Sequence, residues 1–142
     1  MPANKINRIF DANINRAKEG LRVCEEITRF ILNSKQLTQD LKNSRHRIEL
    51  ILKKLPSHFK FLDERESSKD IGKNIYANEL KRENIRDIFF ANIQRVKESV
   101  RVLEEFSKLK NKDCAVLFKN LRYRIYEIEK KSAKKISALS YS

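Results

Sequence analysis

Residues 12–30 read ANINRAKEGLRVCEEITRF, and residues 91–109 read ANIQRVKESVRVLEEFSKL. Laid against each other, they share Ala12/Ala91, Asn13/Asn92, Ile14/Ile93, Arg16/Arg95, Lys18/Lys97 and Glu19/Glu98. They also share Arg22/Arg101, Val23/Val102, Glu25/Glu104 and Glu26/Glu105. The match resumes after a two-residue gap, where LKNSRHRIELILKK (41–54) lies against FKNLRYRIYEIEKK (118–131). Lys42/Lys119, Asn43/Asn120, Arg45/Arg122, Arg47/Arg124 and Ile48/Ile125 are identical there. The repeated unit is a pair of segments, and apolar residues recur in it at three- and four-residue spacing. That is the period of an amphipathic helix. Two copies of a helix pair predict an all-α fold of four long helices, packed as a bundle about a pseudo-two-fold axis.

The period assigns the faces. Ile9, Ala12, Val23, Ile27 and Phe30 run along one side of the first helix, and Phe10, Ile14, Ala17, Leu21 and Cys24 extend that apolar face. Asn15, Lys18, Arg22, Glu25 and Arg29 take the opposite side. The first helix is expected to end near Asn33-Ser34 and the second to run from Lys35 to Leu55, with Pro56 beyond it. The third and fourth are expected over about 79–109 and 113–135. The expected organisation is one helical domain: copy one over 5–55, an irregular loop over 56–78, copy two over 79–135 and a basic tail over 136–142.

Composition narrows the rest. The 142 residues suit a single domain with a true core, 40% are hydrophobic, and only two glycines and two prolines leave little room for an all-β fold. Lys+Arg outnumber Asp+Glu by 32 to 19, a formal charge of +13 that favours polyanions or phosphorylated ligands without choosing among them. Lys130, Lys131, Lys134 and Lys135 read as a frayed basic helix end. Cys24 and Cys114 make no Cys-x-x-Cys pair, and Cys24 falls at an apolar helical position where packing is its expected role. No apolar run approaches membrane-spanning length and Met1 to Arg8 is polar, so a cytoplasmic protein is expected.

Asn13 and Arg16 break the helical rule, because they project close to Ile9, Gly20 and Ile27, and Asn92 and Arg95 repeat this beside Ile88, Ser99 and Phe106. A cation or amide set in an apolar face is costly unless satisfied. Two readings stay open: a structural network with Glu partners, or an anion site lined by Arg and Asn from both copies. Gly20 and Ser99, one turn beyond the arginines, leave space for a ligand or for close helix approach. Arg45 and Arg122 lie at the edges of the apolar faces of helices two and four, within expected reach of the same cavity. Arg22 and Arg101 read as surface ion pairs with Glu26 and Glu105. His46 projects outward, His58 lies in the loop, and neither has a partner at zinc-ligand spacing. In the loop, Arg65, Asp70 and Gly72 form a second cluster: Arg clamps phosphate, Asp holds a phosphate-bound magnesium ion, and Gly admits close backbone approach.

Taken together, RIFDANINRAKEGLRVCEEITRF, LKNSRHRI, ERESSKDIG, ANIQRVKESVRVLEEFSKL and LRYRIYEIEK resemble a known family. It is the small helical hydroxymethylpyrimidine-phosphate kinase domain of bacterial thiamin synthesis, which occurs alone or fused to the N-terminus of thiamine-phosphate synthase. The resemblance runs from about Asn7 to Lys131. It implies an ATP-dependent phosphotransferase that converts 4-amino-5-hydroxymethyl-2-methylpyrimidine phosphate to the diphosphate, with magnesium. The family's loop pattern is Arg, a short polar run, Asp, one residue and Gly, and Arg65, Asp70 and Gly72 match it. This chain departs from that pattern at Glu66-Ser67-Ser68-Lys69, where the family often has Pro or Gly, and at Lys73, where it often has Thr. The resemblance implies either a stand-alone form or a piece of a fusion, with thiamine-phosphate synthase as an expected partner.

The residues suit that chemistry. The nucleophile is already an anionic oxygen, so the demand is to position two phosphates and neutralise their charge. Arginines and a magnesium ion do both. The expected catalytic residues are Arg16, Arg95, Arg65 and Asp70. Asn13, Asn92, Arg45, Arg122 and Gly72 are expected to bind substrate, and Asp70 and Glu98 to meet the metal. Rival expectations are a nucleic-acid-binding helical module, a chorismate-mutase-like bundle acting on a small polyanion, and a non-catalytic partner of thiamine-phosphate synthase. Oligomeric state stays open, a homodimer being common for small helical proteins.

Overall fold

A computed structural model of the chain describes residues 3–55 and 80–139. They form four long helices with no strand among the described residues: α1 (Ala3–Glu26), α2 (Lys35–Leu52), α3 (Ile85–Ser107) and α4 (Lys112–Leu139). The all-α expectation holds. The core is itself duplicated. Phe10, Ile14, Ala17, Leu21 and Cys24 of α1 are fully or almost fully buried, as are their counterparts Phe89, Ile93, Val96, Val100 and Leu103 of α3. Leu37, Leu41, Ile48 and Ile51 of α2 repeat as Cys114, Phe118, Ile125 and Ile128 of α4. Each large side chain withdrawn from water in this way contributes about 1.5–3 kcal/mol.

α1 packs on both α2 and α3, and α4 packs on the same two, so the helices follow each other around the bundle as α1, α2, α4, α3. A Cβ placed on Gly20 of α1 would lie 2.7 Å from Val96 Cγ2 and 3.0 Å from the Asn92 carbonyl oxygen. The Cys24 thiol donates to the carbonyl of Phe89 at 3.8 Å. Rising numbers on α1 therefore meet falling numbers on α3, and the two run antiparallel. Ala17 and its counterpart Val96, both fully buried, fall close to the point where the pseudo-two-fold axis crosses. Gly20 is thus explained by close helix approach, not by room for a ligand.

The helix ends show where the copies differ. In copy one, α1 runs into a π-helical turn, Ile27–Ile31. Asn33 then takes a left-handed conformation (φ 51°), with the Ser34 N–H donating to the Thr28 carbonyl at 2.8 Å. Asn33 takes the left-handed place that glycine usually fills at a helix end, and the bond reaches one residue further back than in a Schellman closure. Ser34 at once caps α2 by accepting from the Leu37 N–H. In copy two, α3 simply stops at Ser107, and Asn111 caps the start of α4 through Asp113 and Cys114. A π-turn winds about one more residue into a helical turn, so the π-turn and the Leu32–Ser34 link together take up the two-residue gap of the duplication.

Several boundaries and faces differ from expectation. α3 begins at Ile85 rather than near residue 79, because Asn84 accepts from the Asp87 N–H and Asp87 reaches back to the Glu83 N–H. α4 continues through the lysine-rich stretch to Leu139, past the expected end at 135 and into the expected tail, because Ser132 and Ile136 are buried on it. Phe30, placed on the apolar side, is 62% exposed, as is its counterpart Leu109 at 64%, because helical winding turns this position about 140° from the core centre at Ala17. Glu25, placed on the outer side, is buried.

Candidate functional site

Arg16 and Arg95 are exposed, and this corrects the reading that set them in the apolar face. Each directly precedes the core-centre residue, Ala17 or Val96, and so is turned about 100° from it, past the edge of the buried stripe. Neither has a carboxylate partner among the described residues. One turn earlier, Asn13 is buried and donates from Nδ2 to the Ile9 carbonyl at 2.9 Å; Asn92 does the same to Ile88 at 2.8 Å. The amide groups are therefore partly consumed by their own helices. Ser99, the counterpart of Gly20, is buried and donates to the Arg95 carbonyl at 2.7 Å.

The buried charge lies elsewhere. Arg45 of α2 grips Glu25 of α1 with two bonds, Nε to Oε2 at 2.7 Å and Nη2 to Oε1 at 3.1 Å. The second copy repeats the pair as Arg122 Nε to Glu104 Oε1 at 3.0 Å. Each carboxylate side chain is 8% exposed or less. Hydrogen bonding to the carboxylate raises the pKa of both arginines above the ordinary value, so both stay charged. Arg45 and Arg122 are therefore engaged by buried carboxylates, whereas Arg16 and Arg95 have none among the described residues. The clue was present in the sequence, because all four residues of these pairs belong to the duplicated set. The partnership was missed because Glu25 was assigned to the outer side.

A second cross-helix pair sits two turns away: Lys18 to Glu49 at 2.6 Å, and Lys97 to Glu129 at 2.8 Å. Here the copies have diverged. Tyr126 stands where copy one has Glu49, and the Lys97 ammonium lies 4.8 Å from the Tyr126 ring centroid. The carboxylate comes from one turn further along α4. Arg22 and Arg101 project outward and meet Glu26 (3.5 Å) and Glu105 (3.2 Å), as their spacing predicts.

Two open grooves flank the buried pairs. The larger, about 530 Å³, lies between α1 and α2 and is walled by Arg22, Arg29, Lys35, Lys42 and Arg45 beside Glu25 and Glu26. The smaller, about 360 Å³, lies between α3 and α4 and is walled by Lys97, Glu98, Arg101, Arg122 and Tyr126. Each of these two is built from one copy alone, whereas a third groove of about 300 Å³ brings Asn43 and Arg47 of α2 beside Arg124 of α4.

Glu98 stands exposed on the rim of the smaller groove. Among the described residues, no three of His, Cys, Asp and Glu gather as a metal-ligand cluster. His46 is exposed. Arg65, Asp70, Gly72 and His58 lie outside the described residues, as does the whole 56–78 loop. No described helix is long and apolar enough to cross a membrane.

Comparison with known proteins places this arrangement. The chain is 40% identical over 126 residues to a thiamine-phosphate synthase of Synechocystis, covering 87% of this chain and 35% of that protein. It is 36% identical over 131 residues to one of Rhodopirellula baltica, covering 89% and 35%. Against one of Prochlorococcus marinus it is 36% identical over 140 residues, covering 97% and 36%. The chain thus spans about a third of the length of the curated relatives it matches. No solved structure matches it. The ThiD2 family matches residues 8–131, both copies of the helix pair and the segment between them, and the chain belongs to that family.

Proposed function

We propose that this chain is a domain of thiamin biosynthesis. Within that role, it phosphorylates 4-amino-5-hydroxymethyl-2-methylpyrimidine phosphate to the diphosphate, using ATP and magnesium. The observation that carries the reading is the family match over residues 8–131. The geometry supports it: Arg16 and Arg95 are repeated, exposed and free of carboxylates among the described residues, and so available to phosphate. Asn13 and Asn92 spend an amide hydrogen on their own backbone, which leaves the side-chain carbonyl as the acceptor suited to the pyrimidine amine. Arg45 and Arg122, held by Glu25 and Glu104, stiffen the helix pairs that carry these groups. Magnesium, when bound, neutralises phosphate charge, with Asp70 and Glu98 as the carboxylates offered to it. The fully ionised monophosphate supplies its own nucleophile, so a site rich in Arg and poor in His is sufficient.

The test is a coupled assay with ATP, magnesium and the pyrimidine monophosphate, run beside the free hydroxymethylpyrimidine. ADP release and diphosphate formation only with the monophosphate are expected. Arg16→Ala and Arg95→Ala should each lower kcat/KM by at least about tenfold, the loss of one charge-assisted contact. No turnover, with a control kinase active in the same mixture, would overturn the reading. Full turnover in both variants would move the site away from these arginines.

One observation favours a second reading. The relatives named thiamine-phosphate synthase are about three times as long as the matched region, which suits a non-catalytic partner of that enzyme. Tight binding to thiamine-phosphate synthase without nucleotide turnover is its signature.

A further inference from the structure

The larger groove is absorbed by none of the roles above. Two of its arginines are neutralised in place, Arg22 by Glu26 and Arg45 by Glu25. Arg29, Lys35 and Lys42 are left over: all three are exposed, and none has a carboxylate partner among the described residues. Three surplus cations thus wall one cavity of about 530 Å³. The groove also reaches the start of α2, an 18-residue helix whose first turn carries no acidic residue. The dipole of that helix adds partial positive charge on the same side.

The second copy supplies an internal control. Every charged residue of the larger groove has a like-charged counterpart: Arg101, Glu104, Glu105, Lys108, Lys112, Lys119 and Arg122. Yet the groove between α3 and α4 lies further toward Gln94 and Tyr126 and shares with it only the counterparts Arg101 and Arg122. Three differences account for this. Lys108 is held by Glu105 at 2.8 Å, whereas Arg29 stacks on Phe30 with its guanidinium 4.8 Å from the ring centroid. Asp113 occupies the first turn of α4 where copy one has Gln36, so that helix start already holds its own carboxylate. Finally, the π-turn and the left-handed Asn33 lengthen the path between α1 and α2, and copy two has no equivalent.

We infer that the copy-one groove between α1 and α2 is a binding site for a diphosphate-bearing ligand, held by Arg29, Lys35 and Lys42. The site does not depend on the kinase reading, because it shares no residue with Arg16, Arg95, Asn13 or Asn92. A single phosphate would leave part of the surplus charge unmatched, whereas a diphosphate presents more anionic oxygens to the three cations. The same chemistry is carried by free pyrophosphate and by a nucleoside diphosphate.

The experiment is calorimetric titration of the whole chain with pyrophosphate, and separately with ADP, without any pyrimidine substrate. The double variant Lys35→Ala/Lys42→Ala should weaken pyrophosphate binding at least about tenfold, whereas Lys112→Ala/Lys119→Ala should change it less than about twofold. The two doubles remove the same charge from pseudo-equivalent places, so diffuse attraction to a basic protein would weaken equally in both. Equal weakening, or no binding of either ligand, overturns the inference. Arg29→Gln gives a third reading should a lysine double fail to fold, and it too should weaken binding. Affinity for ADP well above that for pyrophosphate would assign the site to a nucleotide, and equal affinities to the phosphate chain alone. Amide shifts on titration should concentrate in residues 33–38 and be absent from residues 110–115.

Discussion

Glu25, Arg45, Glu104 and Arg122 hold the main structural charge of the protein. Each carboxylate is almost fully withdrawn from water, and each has its arginine within hydrogen-bonding distance. Removing one partner strands the other. Glu104→Gln should therefore destabilise the chain by about 3 kcal/mol in urea unfolding. The double variant Glu104→Leu/Arg122→Met should recover most of that, because an apolar pair leaves no buried charge behind. The cysteines make a second case. Burial pushes the Cys24 thiol far above its ordinary range, with Glu129 and Glu25 adding to the effect, and Cys114 is raised by burial too. A raised thiol pKa means that stability present below the unfolded value is lost as the pH rises through it, since only the unfolded chain then ionises. Native protein should resist thiol-labelling reagents at pH 8–9 and react at the rate at which it opens. Rapid labelling of Cys24 in folded protein would contradict its burial. In both cases the residue types were visible in the sequence, but the partners were not, because they lie on other helices.

At the scale of elements, the close approach of α1 to α3 depends on Gly20. Gly20→Ala would gain about 1 kcal/mol of helix propensity. Its Cβ, however, would meet the stiff, fully buried Val96 side chain and a backbone carbonyl that cannot turn away. Overpacking of this kind costs about 1–3 kcal/mol, so the net change should be destabilising. Ser99→Ala, at the counterpart position, should be milder, since that site already carries a Cβ. Denaturant midpoints of the two variants compare them directly. The helix starts follow local chemistry. The Asn84 and Asp87 pairing that opens α3 was written in the sequence, but the charged run over 79–83 is itself compatible with a helix and gave no stop. Asn84→Ala should cost about 1 kcal/mol. The π-turn was not legible, because an apolar period assumes one winding throughout.

Across the whole molecule, a formal charge of +13 repels itself in the compact state. Raising the ionic strength from a few millimolar to about 0.15 M shortens the screening length to about 8 Å and should raise Tm. Phosphate or pyrophosphate should raise it further than sodium chloride of equal ionic strength, because an anion that binds only the folded state stabilises it by mass action. Equal shifts in all salts would mean that screening alone acts. Scanning calorimetry in matched buffers separates the two.

What the sequence determined by itself was the helical fold, its duplication and the identity of the core stripes. These rest on local period and on repetition, and each helix carries its own hydrogen bonds. Both copies therefore declare the same pattern without reference to their partners. The tertiary structure alone decided which charges meet. Period placed Arg16 and Arg95 within an apolar face, yet packing on two neighbours set the true edge of that face and left both arginines outside it. It also turned Glu25 and Glu104 inward, because Arg45 and Arg122 wait across the interhelical seam. A carboxylate at the border of a helix face is buried or solvated according to what stands opposite it. That information belongs to the neighbouring helix.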